Sequence, residues 1–62
     1  MRLYYTFDAH GEHELKALKR ACLNLRISYT VEERRDDGSA TVRILCESDQ
    51  VDALKEEWRK LI

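Results

Sequence analysis

Along this chain the spacing of apolar residues switches between every second residue and every third or fourth. Each switch fixes what the local backbone can become. In RLYYTF, residues 2–7, Leu3, Tyr5 and Phe7 alternate with Arg2, Tyr4 and Thr6, the period of a strand with one apolar side. Residues 12–24 follow a helical repeat instead. Leu15, Leu18 and Cys22, continued by Leu25, recur along one face beside Ala17 and Ala21, while Lys16, Lys19 and Arg20 face water. Glu12 and Glu14 complement the positive end of that helix, Lys19 and Arg20 lie towards its negative end, and Asn24 is the expected left-handed stop.

Alternation returns at 26–34, with Ile27, Tyr29 and Val31 inward and Ser28, Thr30 and Glu32 outward. DDGS at 36–39 carries an Asp-Gly turn signal between two alternating runs, so a hairpin follows. Ala40, Val42, Ile44 and Cys46 are the inward set of the next strand, 40–46. Ser48 or Asp49 then caps a second helix whose apolar positions are Val51, Leu54, Trp58 and Leu61, with Glu56 and Lys60 at a favourable pairing distance. No repeat, linker or low-complexity segment interrupts the chain, and residues 1–62 read as one domain.

The expected fold is therefore α+β: a two-layer βαββα sandwich with a three-stranded sheet and two helices on one face. SATVRILCE carries less charge than the strand that ends in EERR, which places the third strand in the middle and gives the order 1-3-2. In topology the whole chain resembles a ferredoxin-like fold that lacks its fourth strand, and no functional motif comes with that resemblance. Periods, turn chemistry and helix-end charges all agree, there is no proline, and the connections are minimal. Such agreement is what a sequence specifying one structure needs, and in this the chain resembles a computationally designed α/β miniprotein. The two histidines, the two cysteines and the irregular FDAHGEH connection instead suit a natural sequence.

Charge narrows the function classes. Charged residues make up 37% of the chain, yet the net charge is −1, so the sequence carries no basic excess of the kind that polyanion binders show. No apolar run spans a membrane, MRLYYTFD lacks a secretory core, and a cytoplasmic protein with reduced thiols is expected. The open sheet face carries Arg2, Tyr4, Thr6, Thr41, Arg43 and Leu45, but only Tyr4 offers a ring for base stacking, so no nucleic-acid partner is expected.

DAHGEHE, residues 8–14, is the stretch that most resembles a site. His10 and His13, with Asp8, Glu12 or Asp37 near them, lie at the top of the sheet. Cys22 is nine residues further along the helix, roughly 13 Å away, and Cys46 ends a strand that runs downward. One zinc holds its ligands within about 2.3 Å, so these four residues cannot share an ion, and the histidines are expected to be solvated. Both cysteines take core-facing positions and read as reduced packing residues. A disulfide between them would close a loop of about 25 residues, worth roughly 3–4 kcal/mol, but a helix-to-sheet span is commonly too long for the bond. No catalytic residue, cofactor, metal or small-molecule substrate is assigned.

The first functional expectation is a scaffold with no reaction or ligand of its own. The second is a protein-interaction module working through the strand-1 edge or the open sheet face. An enzyme or metal protein built on residues 8–14 ranks third. Because RLYYTF is an edge strand without proline or bulge, a homodimer through that edge is the expected partner state. A monomer whose edge is shielded by the sheet's twist or by Leu61 and Ile62 is its rival.

Overall fold

The structure is a computed structural model that describes residues 1–62. Its elements are β1 (Arg2–His10), α1 (Glu12–Leu25), β2 (Ser28–Arg34), β3 (Ser39–Glu47) and α2 (Gln50–Leu61). The strand order is β1-β3-β2, with both pairings antiparallel, and the molecule measures 34 × 22 × 14 Å. The expected α+β architecture is the one observed.

β3 is central because its inner positions can be buried along their whole length. Ala40, Val42 and Ile44 are fully buried and Cys46 nearly so, and they pair across the sheet with Ala9, Phe7, Tyr5 and Leu3 of β1. Both helices close this face. Leu18 and Cys22 of α1 and Leu54 of α2 complete the fully buried core with Ile44 and Val42. Each large aliphatic side chain there contributes about 1.5–3 kcal/mol by leaving water. Asn24 Nδ2 donates to Glu57 Oε2 at 3.0 Å and ties the helices together at their solvent side.

β1 runs three residues beyond Phe7, because Asp8, Ala9 and His10 continue the ladder against Thr41, Ala40 and Ser39. Gly11 alone turns the chain into α1, at φ 133°, a conformation that favours glycine. His10 is therefore a strand residue, and only His13 lies in the helix. At the other end of α1 the left-handed residue is Arg26 (φ 56°), not Asn24. The amide of Ile27 donates to the Cys22 carbonyl at 2.8 Å and that of Arg26 to the Leu23 carbonyl at 3.2 Å, which is a Schellman closure. Ile27 then packs into the same core as Cys22.

β2 begins at Ser28 and carries a bulge between Val31 and Glu33, which frees Glu32 to face Arg43 at 3.7 Å. Tyr29 points inward by register yet stays 41% exposed, because it lies on the outer strand of the sheet. In the hairpin, Gly38 (φ 90°) closes a turn in which its amide donates to the Arg35 carbonyl, and the Arg35 amide donates to the Ser39 carbonyl. Asp49 stands at the start of α2 but makes no side-chain capping bond. Glu56 pairs with Arg59 at 3.5 Å rather than with Lys60.

Trp58 is half-buried and packs against the core from its rim. Its ring stacks on Phe7 with centroids 5.9 Å apart and planes 3° from parallel. Its Nε1–H donates to the Glu14 carbonyl at 2.9 Å, so one side chain joins α2 to β1 and to the first turn of α1.

Candidate functional site

The polar groups at the top of the sheet are engaged with one another. Thr41 Oγ1 donates to Asp8 Oδ1 at 3.1 Å and accepts from Arg35 Nη2 at 2.7 Å, linking three neighbouring segments across the open face. Asp37 Oδ1 accepts from the Ser39 amide at 2.9 Å and from its hydroxyl at 2.6 Å, and these bonds hold its carboxyl below the usual carboxylate range. Glu14 Oε1 accepts from the His10 amide at 3.1 Å. His10 and His13 are both exposed, and no three histidine, cysteine or acidic side chains converge on a point where an ion would sit.

Cys22 and Cys46 are unbridged and buried. Burial, reinforced by the neighbouring Cys46, pushes the Cys22 thiol up to about 11, and burial also raises Cys46, beside Glu47 and Asp49. A nucleophilic cysteine needs a thiolate, which cationic or histidine neighbours normally stabilise. These thiols stay protonated at neutral pH.

On the open face, Arg43 lies over the Tyr4 ring, 4.9 Å from its centroid, and also faces Glu32. The ring most suited to stacking a ligand is thus already covered, although Tyr4 remains 66% exposed. Below it, Tyr4, Ser28, Tyr29, Thr30, Arg43 and Leu45 line a depression of only about 140 Å³.

Two larger grooves flank the sheet, one at each edge. Along β1, Thr6, Phe7 and Asp8 meet Lys55, Trp58, Arg59 and Ile62 of the C-terminal segment around a space of about 400 Å³. It exists because two helices are wider than three strands, so α2 overhangs the sheet.

Along β2 the second groove, about 420 Å³, is bounded by Lys16, Lys19, Arg20, Leu23 and Arg26 on one side and Ile27 and Tyr29 on the other. Helical period alone assigns Lys16, Lys19 and Arg20 to a solvated face and does not show that they border a groove. The signal was present in their spacing, three and four residues apart, which stacks all three on one helix flank. No family model, curated protein or solved structure matches the chain.

Proposed function

We propose that this domain is a non-catalytic interaction module that self-associates through the outer edge of β1. The observation that carries the reading is the edge itself: nine residues, Arg2–His10, with β3 on one side and no strand on the other. It has no proline and no bulge, two of the usual protections of an exposed edge; cover by another segment is limited to the flanking groove, where Ile62 lies beside Thr6, Phe7 and Asp8 yet stays 53% exposed. In the ferredoxin-like order, the missing fourth strand would lie here, beneath the overhang of α2.

β1 is also complementary to itself. Antiparallel pairing about Tyr5 sets Leu3 against Phe7 of the second copy on the inner side. On the outer side it sets Tyr4 against Thr6 and Arg2 against Asp8. The charges oppose only in this register; centring on Tyr4 or Thr6 separates Arg2 from Asp8. Opposite charges directly across a ladder contribute about 0.2–1 kcal/mol per pair, and two-fold symmetry supplies the pair twice. The product is a six-stranded sheet with four helices on one face. Cytoplasmic residence suits such a module, whose thiols are unbridged.

Light scattering at high micromolar concentration tests the proposal, with a dimer expected. Thr6→Pro or Tyr4→Lys should give a monomer with the inner face untouched. Arg2→Asp should weaken the dimer, and Arg2→Asp combined with Asp8→Arg should restore it. A monomeric parent protein would overturn the reading. It would favour instead an inert scaffold of designed origin, which has its own support: no connection exceeds four residues, and no buried side-chain polar atom lacks a partner.

A further inference from the structure

The groove along β2 differs from the one along β1 in charge. Lys16, Lys19, Arg20 and Arg26 all border it, no acidic residue does, and none of the four belongs to an ion pair of the chain. In a protein of net charge −1 that is a local concentration of one sign. Between the cations lie Leu23, 66% exposed, and Tyr29, 41% exposed, so the charged rim surrounds apolar surface that water still reaches. Arg26 adds a second oddity. It holds a left-handed conformation that glycine would adopt without strain, and what the arginine provides in return is a cation at this rim.

We propose that this groove binds an extended acidic peptide, which adds as a strand to the outer edge of β2 over Ser28–Val31. Edge-strand addition in a groove beside a helix supplies backbone hydrogen bonds for affinity and side-chain contacts for selection. The free edge is short by construction, since the bulge after Val31 and the run Glu32–Arg35 close its upper part. Alternate side chains of the incoming strand meet α1, where carboxylates reach the cations and an apolar residue covers Leu23 and Tyr29. The same charge rejects a second copy of this chain: pairing β2 with β2 would set the same four cations of each copy against each other, and like charges across an interface are a strong penalty. A nucleic-acid strand is less well matched, because the groove has one ring, Tyr29, where stacking platforms align several. A membrane surface would require an apolar face broader than Leu23.

The experiment uses the full chain and a synthetic peptide of about seven residues, a common strand length, whose alternate positions facing α1 are glutamate, leucine, glutamate and glutamate, with threonine between them. Titration followed by NMR should move the amides of Ser28–Val31 and of α1 from Lys16 to Leu23, and added salt should weaken the binding. Lys16→Glu with Arg20→Glu, both exposed positions, should lower the affinity about tenfold while the melting temperature stays near that of the parent. The proposal is overturned if the matching lysine peptide binds as well, or if the charge reversal leaves the affinity unchanged. It is also overturned if the shifts fall on β1, or if an oligothymidylate or phosphatidylserine vesicles bind where the glutamate peptide does not. A monomeric or dimeric state of the protein does not bear on the outcome, because β1 and β2 are opposite edges of the sheet.

Discussion

Arg26 shows how a tertiary requirement overrides a local preference. Asn24 is the better left-handed residue by propensity, yet stopping there would leave Ile27 without its core contact to Cys22. Extending the helix to Leu25 brings Ile27 into line and leaves Arg26 with the unfavourable backbone. A left-handed conformation costs a residue with a Cβ about 1–2 kcal/mol. Arg26→Gly is therefore expected to stabilise the fold by about 1 kcal/mol, read as a higher urea midpoint at unchanged slope. An unchanged midpoint would mean that the arginine side chain offsets its own strain through packing. Trp58 is the converse case. The sequence identified it as apolar and helix-phased, but its position on the rim follows from the overhang of α2, which helical period does not encode. Trp58→Ala should cost about 3 kcal/mol. Trp58→Phe should keep the stacking on Phe7 and lose about 1 kcal/mol with the bond to Glu14. Equal losses in chemical denaturation would show that the hydrogen bond, not the ring, carries the contact.

Among the elements, those with one apolar side were legible and those without were not. β3 and the apolar stripe of α2 follow directly from period, since a one-residue slip would bury Arg43 and Glu47 of β3, and rotating α2 would bury Asp52, Lys55 and Glu56. Alternation and propensity end β1 at Phe7, because Asp8 and His10 are poor strand formers; the buried Ala9 on the inner face accompanies the ladder's extension to His10. The bulge in β2 left no trace in the sequence for a physical reason. Glu32 to Arg35 are all charged, so a one-residue slip moves no apolar side chain to the wrong face. The adjoining turn is held by Asp37, whose carboxyl sits below its ordinary value. A depressed carboxyl contributes its stability above the unfolded-state value, about 3.9, and loses it as pH falls through the lower folded value. The Ser39 amide and hydroxyl resonances should therefore shift in that acid window, and Asp37→Asn should abolish the shift. A midpoint at the ordinary aspartate value would show that the turn does not depend on the ionised form.

For the molecule as a whole, a small core makes the two thiols consequential. Only fourteen residues are buried, and Cys22 and Cys46 are two of them, so their ionisation bears on the stability of the entire domain. Cys22 ionises at about 11 when folded, against an ordinary value of 9.0. Its stabilising protonation is fully present below the unfolded value and is lost as pH climbs through that window. Denaturant midpoints should fall on that alkaline side, and Cys22→Ala should flatten the slope while lowering the midpoint at neutral pH through the lost packing. Iodoacetamide should label both thiols only in the unfolded protein; rapid labelling under native conditions would contradict their burial. The groove along β2, by contrast, was invisible to whole-chain arithmetic, because a net charge sums over the whole surface while the fold gathers Lys16, Lys19, Arg20 and Arg26 in one place.

The central position of β3 also sets an order in time. Its pairing with β2 closes through a short turn, whereas its pairing with β1 joins Arg2 to Glu47 and Phe7 to Val42 across most of the chain. Local pairings form before distant ones because loop closure costs more entropy as the loop lengthens. The β2–β3 hairpin, with α2 folding back on β3, should thus be structured in the transition state while β1 arrives late. Val42→Ala is expected to slow folding, and Leu3→Ala mainly to speed unfolding, as refolding and unfolding rates in urea would record. Until β1 docks, the free side of β3 is open to any strand of compatible pattern, including β1 of another molecule. The strand that forms the free edge of the finished protein is then also the one most readily exchanged between chains while folding is incomplete.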